Sequence, residues 1–384
     1  MKKYGSLLIV VTIIVVTFSM YYIRMASAEK KMSEITFEKI SGDARYFDNL
    51  IMEGTVENEF DFRYLTITNG QVNLQKYKHL YYRPLFWFDQ LIDKHKSFMR
   101  GKVPNANSYF ENEEQLIYVE FLNDTEDVQV DDSLKFSIEV LNKGTDHVES
   151  MIVETKLAAP FEYFMLEHME LVGNELKLVI VLYENGNETA HLMTVDLKTK
   201  QLINDLVFES PDNQELQTDI AFYNSYFNIE SEKYLVYSLA ESDAKMESDK
   251  FHSQQFKTLN LETNAINDFD VPAELLDNED AMQVSEQLFH SATILDGTVI
   301  LNRYNISQQN WLEPITLDLP YKVPERATIS VSFAKDKSYI SVETPEGTVL
   351  FIVDSNSGEI LYSGLMKLPE LQEYIIRFNY FYEI

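Results

Sequence analysis

A short turn motif recurs along this chain and restricts the folds open to it. Each copy has an apolar strand-like run, then Asp or Asn, two further residues, Thr or Ser, two more residues and an aliphatic residue. The turns begin at Asn142, Asp196, Asn260 and Asp354, with a degenerate copy at Thr316-Leu317-Asp318. Asp and Asn accept hydrogen bonds from the backbone two residues on, and hydroxyl side chains do so more weakly. The motif therefore predicts tight β-hairpins, with Gly358 or Asn264 at positive φ where the chain reverses.

Strand-like runs flank the turns and extend the repeat. They are rich in β-branched and aromatic residues and are bounded by Gly, Asn and Asp, a pattern typical of strands. They include residues 176–183, 233–239, 298–304, 329–333 and 338–342. Turns spaced by a few tens of residues, each within paired strands, are typical of repeated β architectures. The pattern predicts a mainly β protein with one repeated domain over residues 111–384.

The hairpins resemble the outer strand pair of quinoprotein-like and other non-WD β-propeller blades, where an Asp and a hydroxyl residue mark the same turn. The copy from Ile352 to Tyr362 is nearest to this pattern, and the resemblance spans roughly residues 115 to 365. It implies a propeller-like fold. The chain has only 12 Gly, and no repeat carries the Trp that docks quinoprotein blades on their neighbours, so we expect no cofactor. An irregular β-sandwich is the alternative fold.

The N-terminus contains an uncharged apolar segment from Gly5 to Ile23. A helix of that length, at 1.5 Å per residue, nearly matches a hydrocarbon core of about 30 Å. We therefore expect residues 1–28 to form a membrane anchor, with residues 5–23 spanning the cell membrane once and the body outside the cytoplasm. Ala26-Ser27-Ala28 also suits a signal peptidase, so secretion after cleavage following Ala28 is the alternative. The absence of cysteine is compatible with a bacterial cell surface.

The overall charge excludes one class of partner. The chain has 62 acidic and 32 basic residues, a formal net charge of −30. A surface so acidic repels the phosphate backbone, so we expect no nucleic-acid partner.

One basic segment departs from this charge, within a membrane-proximal region that we place at residues 29–110. Between residues 76 and 102 seven basic residues stand against two acidic ones, among many aromatics. Apolar spacing after Pro84, with Gly101 beyond the end, predicts an amphipathic helix over residues 84–100. The predicted docking residues are Arg83, Trp87, Lys94, Lys96 and Arg100. The alternative is a helix that covers the β body and pairs its lysines with acidic residues.

Catalytic chemistry leaves no local signature in this sequence. It lacks a zinc-protease helix motif, a phosphate-binding loop and a nucleophile elbow, and its seven histidines are scattered without metal-ligand spacing. We therefore predict no metal site, and the catalytic residues, if there are any, are unknown. Glu167 and His168 are adjacent in sequence, but alternation along a strand would direct them to opposite faces.

Two functions follow as hypotheses. The first is a membrane-anchored extracytoplasmic binding or regulatory protein that recognises a partner in the membrane or cell envelope. The second is an extracytoplasmic hydrolase or lyase acting on envelope glycan through carboxylates from separate loops. The lack of a catalytic motif favours the binding protein.

Overall fold

The structure is a computed structural model, and the chain it describes is mainly β. The described residues are 12–23, 35–57, 62–76, 86–122, 131–184, 186–210, 216–224, 229, 231–243, 253–317, 329–334, 336–344, 346–367 and 375–383.

Helices are few and short in these ranges. Residues 12–23 form helix α1, and α2 (Arg45–Asp48) and α3 (Phe86–Lys94) follow. Two 3₁₀ segments are Ala106–Ser108 and Ala273–Ala281. No helix within the described ranges is long and apolar enough to cross a membrane, and parts of the predicted span, residues 5–11, lie outside them.

Strands account for most of the remaining structure. The first thirteen are β1 (Thr36–Gly42), β2 (Leu50–Glu57), β3 (Phe62–Thr68), β4 (Gln71–Lys76), β5 (Tyr109–Glu111), β6 (Gln115–Phe121), β7 (Asp131–Asn142), β8 (His147–Phe161), β9 (Tyr163–Val172), β10 (Glu175–Glu184), β11 (Asn187–Asp196), β12 (Gln201–Glu209) and β13 (Leu216–Phe222). The others are β14 (Tyr234–Asp243), β15 (Ser253–Asn260), β16 (Ile266–Phe269), β17 (Met282–Ser285), β18 (Leu288–Leu295), β19 (Thr298–Asn305), β20 (Asn310–Trp311), β21 (Ile315–Leu317), β22 (Ile329–Ala334), β23 (Lys337–Thr344), β24 (Gly347–Asp354), β25 (Ile360–Lys367) and β26 (Ile375–Glu383).

These strands form antiparallel sheets in which most neighbours in space are also neighbours in sequence. The strand orders are β26-β2-β3-β4 in sheet A, β5-β6-β7-β8 in sheet B, β12-β11-β10-β9 in sheet C, β13-β14-β15-β16 in sheet D, β17-β18-β19-β20 in sheet E, where β21 also pairs with β19, and β1-β25-β24-β23-β22 in sheet F. Neither a closed barrel nor a propeller is detected in the described part of the chain. The prediction of a mainly β protein is confirmed.

The predicted turn chemistry is also confirmed. The Oδ1 atom of Asn142 accepts hydrogen bonds from the backbone N–H and the hydroxyl of Thr145, at 3.0 and 2.9 Å. The equivalent oxygen of Asp196, Asn260 and Asp354 likewise accepts two backbone N–H groups each. Asn264 and Gly358 adopt φ of 60° and 76° as expected. Each turn joins the third and fourth strands of its meander.

The degenerate copy stays a prediction, and sheet E has a turn of the same kind elsewhere. Asp318 lies outside the described residues, whereas the corresponding turn of sheet E begins at Asn305, between β19 and β20. Asn305 Oδ1 accepts the Ser307 hydroxyl and the Gln308 N–H, both at 2.9 Å, and Gln309 has a φ of 55°. Sequence spacing missed this copy because Gln308 stands where the other copies have Thr or Ser.

The chain divides into two compact units. The first contains residues 1–82, 294–300 and 315–384. In this unit, strands from the two ends of the chain pair with each other. The C-terminal strand β26 pairs with β2, and the N-terminal strand β1 pairs with β25. Side chains of sheets A and F share one core, where the rings of Tyr339 and Phe381 stack with centroids 5.4 Å apart.

The second unit contains residues 83–293 and 301–314. Its sheet C is covered on both faces, because Leu178 and Ile180 pack in a cluster with sheet B while Val179 and Val181 pack in a cluster with sheet D. Alternating side chains of β10 thus enter different cores, which explains its nearly continuous apolar sequence. A further cluster joins sheet D to aromatic residues of sheet E, including Phe289.

Candidate functional site

The predicted amphipathic helix exists but is shorter than expected. Helix α3 ends at Lys94 rather than at residue 100, and residues 84 and 85 lie outside the described ranges. Beyond it, the His95 N–H bonds to the Leu91 oxygen at 2.8 Å and the Met99 N–H to the His95 oxygen at 3.0 Å, before Gly101 adopts a φ of 84°. A left-handed residue at that point cannot continue a right-handed helix, so the segment turns away there.

Three of the predicted docking residues are exposed. Lys94, Lys96 and Arg100 are exposed, and none has a hydrogen bond or an ion pair with any described residue. We call these three residues the basic surface. Arg83 lies outside the described part of the chain. The alternative in which the lysines of the helix pair with acidic residues of the body finds no support at Lys94 or Lys96.

Trp87 differs from these three because it is buried, at 7% exposure. Its ring lies edge-on to those of Phe88 and Tyr109, with centroids 5.5 and 5.6 Å away, and its Nε1 has no hydrogen-bond partner among the described atoms. Leu91, one turn later, is buried as well. The expectation that Trp87 presents its ring at an interface is therefore wrong, since the helical spacing places it on the face that covers the core.

Lys102 is a basic residue of the same segment that does have partners. Its ammonium lies 2.9 Å from Glu139 Oε2 and over the rings of Phe98 and Tyr118, at 4.1 and 4.9 Å from their centroids. Among the residues that the structure describes, none forms such a cradle for Lys94, Lys96 or Arg100, whose side chains are exposed.

A second polar site, missed by the sequence argument, lies on β9. The pairing of β9 with β10 shifts register between Leu166 and His168, which makes Glu167 the extra residue of a β-bulge. Leu166 and Met169 both belong to the core shared with sheet B. Glu167 and His168, between them, therefore both lie on the opposite face, toward sheet D. The expectation that alternation separates them is wrong because the bulge breaks the period of two.

The same face continues with Glu170. Its carboxylate accepts hydrogen bonds from the Ser231 hydroxyl and the Glu232 N–H, both at 2.7 Å, just before strand β14 of sheet D. The Nε2 atom of His168 lies 3.9 Å from Glu170 Oε2 and has no hydrogen-bond partner within the described ranges. His168 is only 8% exposed, so this nitrogen is buried without a hydrogen bond.

Two stacked tyrosines lie at the start of β9. Tyr163 is opposite Tyr183 on β10, and the rings are 3.9 Å apart and 12° from parallel. Tyr163 is 51% exposed and Met165, two residues along the same face, is 45% exposed. The Tyr183 hydroxyl donates to the Met165 sulfur at 3.4 Å. Strand register thus fixes an exposed aromatic and thioether surface, which we call the tyrosine platform (Tyr163, Met165, Tyr183).

Carboxyl groups border this platform. Glu188 is opposite Tyr183 on β11, is 9% exposed, and accepts the Ile220 N–H of β13 at 2.5 Å. Burial raises the pKa of Glu188 to about 7, against the hydrogen bond from Ile220, and the charges of Asp219 and Glu167 raise it further. Burial also raises the pKa values of Glu167 and Asp219. No described lysine or arginine forms an ion pair with any of these three carboxyl groups.

Metal binding finds no support in this geometry. Across the described ranges, no three His, Asp or Glu side chains are placed to hold a metal ion. The carboxyl cluster is bordered by the rings of Tyr163 and Tyr183.

Comparisons with known proteins add little at this level of similarity. No protein-family model matches the chain, and no curated protein matches it. A solved luciferin-regenerating enzyme is similar at 10% identity and a TM-score of 0.30, over 62% of this chain and 73% of that one. A putative dipeptidyl aminopeptidase IV from Bacteroides ovatus ATCC 8483 is similar at 9% identity and a TM-score of 0.34, over 82% of this chain and 45% of that one. Neither similarity carries an argument about fold or function.

Proposed function

We propose that this protein is a membrane-anchored, extracytoplasmic binding or regulatory protein that docks on an acidic protein partner of the membrane or cell envelope through its basic surface. The observation that carries this proposal is the exposure of Lys94, Lys96 and Arg100 without partners, in a chain whose net charge is −30. Acidic side chains are abundant, yet none described neutralises these cations. Such a local reversal of charge is suited to attract an acidic partner and to repel basic ones.

An acidic protein is favoured over anionic lipid by the position of the aromatic residues. A helix that lies in a membrane interface presents its apolar face to the acyl chains. Here Trp87, Phe88 and Leu91 are buried in the body, so α3 offers charge but no apolar wedge. The overall negative charge also opposes close approach to anionic headgroups.

The proposed scaffold for this docking is a propeller-like domain in which sheets A to F are the blades. Sheets of four antiparallel strands in meander order support it, as does the completion of sheet A by β26 from the other end of the chain. Six sheets, rather than two, favour this fold over an irregular sandwich. Residues 5–23 would hold the domain at the membrane, and release after Ala28 remains the alternative.

A hydrolase or lyase of envelope glycan is the second candidate, favoured by the carboxyl groups of Glu167, Glu188 and Asp219. Glycoside cleavage pairs a protonated acid with a second carboxylate that stays ionised. Burial raises the pKa of Glu188 to about 7, which suits the acid, and it also raises the pKa values of Glu167 and Asp219. The chain carries no local catalytic motif, so we favour binding.

The test is capture of partners from detergent-solubilised native membranes with the full-length chain as bait. Lys94, Lys96 and Arg100 are replaced together by Gln, and the control replaces three exposed lysines elsewhere, Lys39, Lys135 and Lys198. Both variants lose three charges. At about 0.2–1 kcal/mol for each exposed ion pair, we expect the basic-surface variant to bind the captured protein about tenfold more weakly at low salt.

The expected partner is retained by the wild type and by the control, and high salt removes it from both. Equal capture by all three chains would contradict the proposal. A third outcome would identify lipid as the partner instead of an acidic protein. In that case no protein is captured, the wild type binds phosphatidylserine vesicles, and the basic-surface variant does not.

A further inference from the structure

The tyrosine platform is a second surface whose composition suits a ligand. Exposed aromatic rings on a strand edge have an unused face, and here strand register holds two rings parallel beside a thioether. Tyr163 and Met165 remain about half exposed, although Leu166 of β9 and Val181 of β10 are buried. A flat electron-rich face of this kind attracts cations or stacks against sugar rings.

The surrounding charges decide between those ligands. Glu188 lies opposite Tyr183, and both Glu167 and Asp219 are close enough to act on its charge. No described lysine or arginine pairs with these groups, so their negative charge is uncompensated. A neutral sugar would leave that charge unpaired, whereas a cation would pair with it.

The hydrogen-bonding capacity of the carboxylates favours one kind of cation. A primary ammonium donates three hydrogen bonds, which carboxylate oxygens accept, whereas a quaternary ammonium donates none.

We propose that the tyrosine platform, with Glu167, Glu188 and Asp219, binds a primary alkylammonium group, in a site separate from the basic surface. The alkyl chain packs on Met165 and the ring of Tyr163, and the ammonium group lies among the carboxylates. This site does not depend on the docking function proposed above.

Binding must then release protons. The titratable groups near Glu188 are Tyr163 and Glu167 of β9, Tyr183 of β10 and Asp219 of β13, and burial raises the pKa values of Glu167 and Asp219 as well. Since Glu188 has a pKa of about 7, its ionised fraction rises from about a tenth at pH 6 to about nine-tenths at pH 8. The affinity for an alkylammonium should therefore rise about tenfold over that interval.

The experiment is titration of the full-length chain, labelled with carbon-13 at its methionine methyl groups, with n-butylammonium chloride. The Met165 signal is assigned by its loss in Met165→Leu. We expect a saturable shift of this signal that tightens about tenfold from pH 6 to pH 8. Glu188→Gln should weaken binding about tenfold at pH 8 and remove the pH dependence, and Tyr163→Ala should weaken it about threefold.

Controls separate the ligand classes. Asp219→Asn repeats the test if Glu188→Gln fails to fold, and unchanged signals from the other methionines show that the body is intact. Tetramethylammonium should bind more weakly than n-butylammonium. A saturable shift with methyl glucoside but none with n-butylammonium would overturn the proposal, and so would n-butylammonium binding that is unaffected by both carboxyl substitutions.

Discussion

The basic surface on α3 and the carboxyl cluster beside β9 hold opposite charges in opposite ways. Lys94, Lys96 and Arg100 are exposed, whereas Trp87 and Phe88 of the same segment are buried. The three exposed charges stay hydrated in the folded chain. Glu188 and Glu167 are withdrawn from solvent between sheets C and D, and burial disfavours their charged forms. Exposed charges respond to salt and to partners at a distance, whereas buried ones respond to pH and to ligands in contact. The difference indicates two separate sites.

The largest expected change in stability tests whether one face of α3 covers the core instead of serving docking. Trp87→Ala removes a buried indole that contacts Phe88 and Tyr109, so we expect a loss of about 3–5 kcal/mol in the free energy of unfolding. Denaturant unfolding of the full-length chain measures it. Lys94→Gln is the matched control on the same helix, with an expected change within about 0.5 kcal/mol. A small effect at Trp87 would mean that the helix does not cover a core.

The next prediction concerns the buried side of the comparison. The pKa of Glu188 is about 7 in the folded chain and near 4.5 when unfolded. Below pH 4.5 both states hold the proton; as pH rises toward 7 the unfolded chain loses it first, so the free energy of unfolding falls across this window. Relative to the wild type, Glu188→Gln should gain about 2 kcal/mol between pH 4.5 and pH 8, less than the full shift because solvent screens part of it.

Chemical denaturation at several pH values checks this prediction. Glu113, whose side chain is exposed, provides the control substitution to Gln. A parallel pH dependence of the wild type and Glu188→Gln would show that Glu188 is ionised as readily in the folded chain as in the unfolded one.

The smallest effect concerns the turns that hold the sheets in register. The side-chain oxygen of Asn260 accepts the N–H groups of Glu262 and Thr263, at 2.9 and 3.1 Å. Asn260→Ala should lower the free energy of unfolding by about 1 kcal/mol, while Asn260→Asp keeps the acceptor and should cost less. Thermal unfolding measures both variants. An equal loss of stability in both would show that the side-chain oxygen of Asn260 does not stabilise the turn.

Sequence reasoning predicted the turns well because their chemistry is local. An Asn or Asp oxygen and the N–H groups it binds lie within three residues. The turns at Asn142 and Asp354 can therefore be predicted without knowledge of the fold. The helical spacing near Trp87 was also visible. Its burial was not, because an amphipathic stripe reads alike whether it covers a core or faces a membrane.

The site on β9 could not be predicted from local pattern. Glu167 and His168 share a face only because of a bulge, and a bulge depends on the register with β10 rather than on the residues that form it. Tyr163, Tyr183 and Glu188 are up to 25 residues apart and meet through strand pairing. A tyrosine before one hairpin strand and a glutamate after the next turn is a weak signal by itself.

The most direct test of two separate sites is a crossed measurement on the full-length chain, with partner capture and n-butylammonium binding each determined for two variants. The account predicts that replacing Lys94, Lys96 and Arg100 by Gln weakens capture and leaves the Met165 shift intact. It predicts that Glu188→Gln does the reverse. Loss of both activities in either variant, with folding intact, would contradict the separation of the basic surface from the carboxyl cluster.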